Sequence, residues 1–185
     1  MAHDSRVARR YANALFETAQ KYNVIKSVED DLAGITSLLD GDRSFHDFLL
    51  SPYVGREEKL RICEKLFSDR ITALTMQFVR LALSKRRESE LKAVYSEFVE
   101  LRRLSEGVLF VSFASATELD KKQREALEAK IALTTKRKVE AEFLVNPSLI
   151  GGVKATFENT VLDGTVRGSL KRIQESLTHD VLKQI

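Results

Sequence analysis

The chain has 185 residues, of which 43% are hydrophobic and 31% are charged, an ordinary balance for a soluble globular protein. No apolar run approaches the roughly 18 residues that a membrane-spanning helix requires. We expect no secretory signal, because the N-terminal segment lacks a continuous apolar stretch. Cys63 is the only cysteine, which excludes an internal disulfide and fits a reducing compartment.

The formal net charge is +3, from 30 Lys and Arg against 27 Asp and Glu. Short basic clusters are interleaved with acidic residues along most of the chain, whereas nucleic-acid-binding modules concentrate positive charge on one face. We therefore expect a charge-mixed surface and no nucleic-acid partner. A basic RNA-binding or scaffold adaptor remains the alternative function, and steeply salt-dependent RNA binding would support it.

Helical periodicity dominates residues 1–105 and predicts a six-helix bundle with short linkers. Asp4 or Ser5 is expected to cap the first helix, and Asn23 to end it. Gly41 is expected to end the second helix, and Asp69 to cap the fifth. The later five helices are predicted at about residues 24–40, 44–50, 56–67, 71–84 and 88–104.

The first and fifth predicted helices are apolar over more of their circumference than the stripe of about 100° that faces a core. In the fifth helix the apolar arc is about 220° wide at 3.6 residues per turn. Its members are Ile71, Leu74, Phe78, Val79, Leu81, Ala82 and Leu83. Either both helices are central in the bundle, or a partner covers half of each arc.

The periodicity changes from helix to strand at Gly107. Strands are predicted at about 108–114, 138–145, 153–157 and 160–162, with a hairpin turn at Glu158-Asn159. Thr117 is expected to cap a helix that runs to about residue 133, and a last helix is expected from Thr165. Residues 106–185 therefore form a small α/β domain, so that the whole chain is a multidomain α and α+β protein. The residues expected to face its core from the last helix are Val166, Leu170, Ile173 and Leu177.

Three glycines in this second half lie at positions where the choice of glycine needs a structural explanation. Gly151 and Gly152 precede a strand and not a helix, which favours a bulge or a close backbone approach over a phosphate-binding loop. Gly168 lies in the first turn of the last helix, where glycine costs about 1 kcal/mol relative to alanine. We expect close packing to offset that cost.

Residues for catalysis are scarce in this sequence. His3, His46 and His179 are dispersed, and no HExxH, GxSxG or CxxC motif is present. Cys63 lies on the apolar side of its predicted helix, as a small core residue does. We therefore predict no catalytic residue, no cofactor, no metal and no small-molecule substrate.

Two stretches of the chain together resemble the delta subunits of bacterial F-type ATP synthases, the family that includes the mitochondrial oligomycin-sensitivity-conferring protein. They are RVARRYANALFETA and NPSLIGGVKATFENTVLDGTVRGSLKRIQESL. The resemblance covers essentially the whole chain. Many relatives have a glycine in the hairpin where this chain has Phe157-Glu158-Asn159. The more specific part is the C-terminal motif, which includes Gly151, Gly152, Asp163, Gly164, Arg167 and Gly168.

The resemblance implies a non-catalytic stator subunit of the ATP synthase. In the family, the helical domain, here residues 1–105, binds the N-terminal helix of an alpha subunit. The second domain, here residues 106–185, contacts the b subunits of the peripheral stalk. This joint holds the catalytic head against the rotor, so that torque drives ATP synthesis. The implied location is the cytoplasmic face of the bacterial inner membrane, as a peripheral subunit without membrane insertion.

The resemblance also implies a cover for the excess apolar surface. In the family, the alpha-subunit helix lies between the first and fifth helices, and helix-in-groove recognition requires exposed apolar surface on both. The residues expected to line this site are Tyr11, Ala14, Leu15, Phe78, Val79 and Ala82.

Overall fold

The computed structural model describes residues 5–67 and 70–182. The chain divides into two compact units, Met1–Arg102 and Arg103–Ile185. It is mostly helical with a small four-stranded sheet, which agrees with the predicted α and α+β class at that level. Within the described ranges, no helix combines the length and the apolar character needed to cross a bilayer.

Helices make up nearly all of the first unit. The last of them, α6, begins directly after a single 3-10 turn at Glu88–Glu90. The helices predicted for this half lie within a few residues of the observed bounds. These are α1 Ser5–Lys21, α2 Ile25–Gly41, α3 Arg43–Leu50, α4 Arg56–Phe67, α5 Ala73–Ser84 and α6 Leu91–Glu106.

Several helix boundaries in this unit differ from those predicted by one to three residues. Gly41 is the last residue of α2, and Asp42 follows it as the cap of both neighbouring helices. The Asp42 carboxylate accepts hydrogen bonds from the backbone N–H groups of Ser44 (2.8 Å) and Phe45 (3.1 Å), which begins α3. Asn23 ends α1 as expected, in the left-handed conformation with φ 57°. Of the proposed caps, Asp4 and Asp69 lie outside the described residues.

The start of α5 is held by a carboxylate from α2. Thr72 is the N-cap, and its hydroxyl accepts a hydrogen bond from the Thr75 backbone N–H at 3.2 Å. The Asp31 carboxylate accepts hydrogen bonds from the Thr72 backbone N–H and the buried Thr75 hydroxyl, each at 2.8 Å. This tertiary contact stabilises Thr72 in the N-cap position of α5.

The core of the helical unit is built from apolar side chains of α1 to α6. Aromatic rings meet edge to face within it, as between Phe16 and Phe98, whose centroids are 5.5 Å apart. Cys63 is 1% exposed in this core, and burial raises the pKa of its thiol to about 11.

The second unit combines a mixed sheet with two helices. Its strand order is β2-β1-β3-β4, in which β1 and β2 are parallel and the other pairs are antiparallel. The crossover between the parallel strands is α7, and β3 and β4 form the predicted two-residue hairpin. The bounds are β1 Val108–Ser115, α7 Lys121–Thr135, β2 Lys138–Val145, β3 Val153–Phe157, β4 Thr160–Asp163 and α8 Val166–Leu182.

The cap of α7 corrects the prediction at Thr117. Asp120 is the N-cap, and its carboxylate accepts a hydrogen bond from the Gln123 backbone N–H at 2.7 Å. The Gln123 side chain in turn accepts a hydrogen bond from the Asp120 backbone N–H at 3.0 Å. Because this reciprocal pair satisfies two otherwise free donors, it defines the helix start better than a single hydroxyl does.

The expected inward face of α8 is also corrected. Val166, Leu170 and Ile173 are 46%, 56% and 57% exposed. The small core of this unit is filled from the sheet and α7, by Leu109, Val111, Phe113, Ile131 and Ala155. Since the core is closed by those elements, the apolar stripe of α8 is left on the surface. Leu177 lies among the residues whose side chains are outside the described part of the chain.

A compact hydrogen-bonded turn joins β4 to α8. The Asp163 carboxylate accepts hydrogen bonds from the backbone N–H (2.9 Å) and the hydroxyl (2.6 Å) of the buried Thr165. That hydroxyl accepts a hydrogen bond from the Gly168 backbone N–H at 2.9 Å, which caps α8. The hydrogen bonds from Thr165, followed by the charges of Arg172 and Lys154, lower the pKa of the Asp163 carboxyl.

The glycines of the C-terminal motif leave the space that this turn needs. A Cβ atom on Gly168 would lie 2.6 Å from a carboxylate oxygen of Asp163, which explains a glycine in the first turn of a helix. Gly151 accepts a backbone hydrogen bond from Val166 at 3.0 Å, and Gly164 donates one to Val153 at 3.1 Å. Arg167 donates from its guanidinium to the Ser148 carbonyl at 3.4 Å. The motif therefore has a structural explanation at each of these positions.

Gly152 is the most constrained glycine of the motif, since it has φ +80° and a Cβ there would lie 2.3 Å from the Gly164 carbonyl oxygen. Gly107 is its matched control, because it lies in the same unit at φ +65° with open space around it. Gly152→Ala should lower the free energy of unfolding of this unit by about 3 kcal/mol, and Gly107→Ala by about 1 kcal/mol. Hydrogen exchange of the β1 amides measures both values. Equal losses would contradict a steric role for the Gly164 carbonyl.

Cys63 should be inert in the folded protein. With a thiol pKa of about 11, about one thiol in a thousand is ionised at pH 8, and the side chain is covered as well. We expect iodoacetamide to label the native chain at a small fraction of its rate in urea, as measured by mass spectrometry. Labelling of the native chain at the rate of the urea-unfolded chain would contradict the buried placement.

Candidate partner-binding site

One side of α1 carries an incompletely covered stripe beside its buried face. The buried face consists of Ala8, Ala12, Leu15, Phe16 and Ala19. The adjacent stripe follows the spacing i, i+4, i+7 and i+11, which places its members along one line of a helix. In this stripe Ala14 is exposed and the other residues are half-buried. Its members are Val7, Tyr11, Ala14 and Thr18.

A corresponding stripe lies on α5. Leu74, Phe78 and Leu81 follow the spacing i, i+4 and i+7. Leu74 is half-buried, Phe78 is buried, and Leu81 is 43% exposed. The exposure is therefore lowest at Phe78, in the middle of this stripe, and greatest at Leu81, its C-terminal member.

The two stripes meet through one aromatic contact. The rings of Tyr11 and Phe78 pack edge to face, with centroids 6.3 Å apart and an angle of 62° between their planes. Ala14 and Leu81, the exposed members, belong to the two stripes that this contact joins. We call these seven residues, Val7, Tyr11, Ala14, Thr18, Leu74, Phe78 and Leu81, the α1–α5 face.

The six residues predicted for the partner site take two different positions. Tyr11 and Ala14 lie on the α1–α5 face with accessible surface. The other four, Leu15, Phe78, Val79 and Ala82, are 5%, 6%, 2% and 3% exposed and belong to the core. Of these four, Phe78 is the buried member of the face, and Leu15, Val79 and Ala82 lie beneath the face as part of the core.

Sequence reasoning missed part of the face. Leu74 and Leu81 were recognised within the apolar arc of the fifth helix but were not chosen as site residues. The available signal was their spacing from Phe78, four residues before it and three after it, which aligns all three. Val7 and Thr18 show the same alignment with Tyr11 on α1.

A second incompletely covered surface lies in the C-terminal unit, on α8. Val166, Leu170 and Ile173 follow the spacing i, i+4 and i+7 and form an exposed apolar stripe, here called the α8 stripe. Lys171 and Arg172 lie beside it and are exposed. An apolar stripe flanked by cations suits an amphipathic helix with acidic residues at its edges.

Neither surface has the composition of a catalytic centre. Apolar side chains dominate both, and within the described ranges no three His, Cys, Asp or Glu residues are grouped in a way that would hold a metal ion. The arrangement is that of surfaces for protein binding.

The amino-acid sequence matches the same protein family in a family model and in individual relatives. The family model for the ATP synthase delta (OSCP) subunit matches residues 7–177. The chain is 34% identical over 171 residues to the ATP synthase subunit delta of Desulforamulus reducens, covering 92% of this chain and 94% of the relative. It is also 34% identical over 170 residues to the protein of the same name from Chlorobium chlorochromatii, covering 92% of this chain and 95% of that one.

A solved structure supports the fold. A chain in the cryo-EM structure of the Toxoplasma gondii mitochondrial ATP synthase hexamer superposes with a TM-score of 0.76 at 22% identity. The match covers 92% of this chain and 97% of that chain. Since the family model spans most of the sequence and the curated relatives match over nearly their whole length, this chain belongs to the ATP synthase delta (OSCP) subunit family and has the stator role of that family.

Proposed function

We propose that this chain is a non-catalytic joint between the alpha/beta head of a bacterial ATP synthase and the b subunits of its peripheral stalk. The observation that carries this proposal is the presence of an incompletely covered apolar surface in each of its two units. A stator joint needs one binding surface for the head and another for the stalk. Held in this way, the head does not turn with the rotor, and torque is available for ATP synthesis.

The α1–α5 face is the proposed site for the N-terminal helix of an alpha subunit. Tyr11, Ala14 and Leu81 supply accessible contact area, and the buried Phe78 fixes the position of the Tyr11 ring. Leu15, Val79 and Ala82 support the site from the core. An amphipathic helix laid along the two stripes would bury its own apolar side against them.

The α8 stripe is the proposed site for the b subunits. Its three apolar residues are about half exposed, and a helix end of the stalk with acidic flanks would match the neighbouring Lys171 and Arg172. Exposed charge pairs contribute more to association rate and orientation than to affinity. The affinity is therefore expected to come from Leu170 and Ile173.

These two contacts imply the location of the subunit. It would lie at the cytoplasmic face of the bacterial inner membrane and be held there by its partners, as a peripheral subunit. The alternative of a basic RNA-binding adaptor has no observation in its favour beyond the mildly basic composition.

Leu81 tests the head contact. Leu81→Glu should raise the Kd for a synthetic peptide of the alpha-subunit N-terminal helix at least about tenfold, equivalent to about 1.4 kcal/mol. The cause is that a carboxylate would have to be desolvated against apolar surface. Isothermal titration calorimetry with the full chain measures the change.

Leu66→Glu is the matched control for this experiment. Leu66 lies on α4 in the same unit and is 41% exposed, against 43% for Leu81. Its replacement should leave the peptide Kd within twofold. Equal effects of the two substitutions would contradict the placement of the alpha-subunit helix on the α1–α5 face.

Leu170 tests the stalk contact. Leu170→Glu should weaken binding of a soluble C-terminal segment of the b subunit at least about tenfold, because it places a charge in the middle of the α8 stripe. Leu133→Glu on α7 should have little effect, although Leu133 is 81% exposed in the same unit. Sedimentation velocity of mixtures measures both complexes, and unchanged binding by Leu170→Glu would exclude the α8 stripe as the stalk site.

A further inference from the structure

A surface cavity of about 440 Å³ lies at one end of the helical unit, between the α3–α4 connection and the turn after α5. This volume is within the range of about 300–1,000 Å³ that is typical of ligand-binding pockets. Its walls are residues 50–56 together with Lys59, Arg86, Glu88 and Ser89. It shares no residue with the α1–α5 face or the α8 stripe, so the proposed function leaves it unexplained.

The wall of the cavity contains a buried ion pair with an unused acceptor. Lys59 is only 3% exposed, and its Nζ donates to Glu88 Oε1 at 2.5 Å. The second carboxylate oxygen, Glu88 Oε2, is buried and accepts no hydrogen bond from the described residues. A buried carboxylate oxygen without a donor is unfavourable. Because solvent does not reach this oxygen, a ligand in the cavity cannot donate to it, and the Lys59–Glu88 pair forms an electrically neutral part of the wall.

The remaining charged residues of the cavity wall are cationic. Arg56 is exposed, and its Nη1 donates to the Ser84 backbone carbonyl at 3.1 Å, which restrains its side chain beside the cavity. Arg86 is exposed and has φ +54°, a backbone conformation that is uncommon for a residue other than glycine. Together with Lys59, these residues give the wall three cations against the single carboxylate of Glu88. The cavity therefore attracts anionic groups.

An almost fully exposed aromatic side chain also lines the cavity. Tyr53 is 97% exposed, the largest exposure among the large hydrophobic residues of the described chain. Tyrosine and arginine are the residue types that most often dominate the binding energy of protein interfaces. A cavity wall that contains this ring and two arginines is typical of a protein-recognition surface.

We propose that this cavity binds an acidic, extended peptide segment of a partner protein. Side-chain carboxylates of the segment accept hydrogen bonds from Arg56 and Arg86. The Tyr53 ring packs against an adjacent part of the segment. A peptide fits better than a phosphate group, because it can pack against the exposed Tyr53 ring as well as pair with the arginines, whereas a phosphate group supplies only anionic acceptors.

Backbone amide NMR spectra of the labelled full chain test this proposal. The probe is acetylated and amidated hexaglutamate, with hexaglutamine as its uncharged counterpart and inorganic phosphate as the plain anion. Hexaglutamate should shift the amides of residues 51–56 and 85–89 and bind at least fivefold more tightly than hexaglutamine. The same local shifts with equal affinity for phosphate would overturn the peptide assignment.

Three substitutions, one of them a control, locate the binding. Arg86→Ser should weaken hexaglutamate binding at least fivefold. Arg43→Ser, which removes the same charge from a side chain that is 95% exposed at the start of α3, should change it less than twofold. Tyr53→Ala should weaken binding at least threefold without changing the fold, because the ring is almost fully exposed. Absent local shifts, or equal effects of the two arginine substitutions, would overturn the proposal.

Discussion

Apolar helix surface in excess of what the chain's own core can cover is the constraint on which the rest of this structure depends. Burial of apolar surface contributes about 25 cal/mol per Å², so half-exposed residues such as Leu81 and Leu170 leave part of this contribution unused in the free chain. A partner recovers it on binding. The free protein is therefore less completely packed at the two surfaces that we assign to its partners than in its cores.

The two units meet this constraint in different ways. In the helical unit, the core is large and the uncovered surface is a narrow strip beside the Tyr11–Phe78 contact. In the C-terminal unit, the sheet and α7 close a small core, and a whole side of α8 is left exposed. The first arrangement leaves a narrow strip along two helices, and the second leaves one side of a single helix on which a partner can pack.

Sequence periodicity was sufficient for the order and approximate bounds of the helices and strands, because alternation and helical spacing are local properties. It was not sufficient for deciding which apolar residues are buried. Leu15 and Val79 were expected at the partner site but lie in the core, whereas Leu170 was expected in the core but lies on the surface. A pattern of apolar residues does not distinguish a helix's own core from the core of an assembly, since both require the same side chains.

Helix starts were difficult to predict for a related reason. Thr117 and Asp120 both have side chains that can cap a helix, and the choice was made by Gln123, which completes a reciprocal pair. At α5 it was made by Asp31, which is distant in sequence and holds Thr72. Local sequence indicates that a cap is near, and the surrounding contacts decide which residue takes the position.

The turn between β4 and α8 has a consequence for a protein of this family, whose assembly works beside a membrane that carries a proton gradient. The pKa of the Asp163 carboxyl is lowered from an already acidic ordinary value of 3.8. A group of this kind stabilises the folded state above its unfolded pKa, and the contribution is lost only as the pH falls through the folded value. Swings of the surrounding acidity within the neutral range therefore leave Asp163 ionised and the first turn of α8 in place. The turn that begins α8 is therefore insensitive to moderate changes in proton concentration.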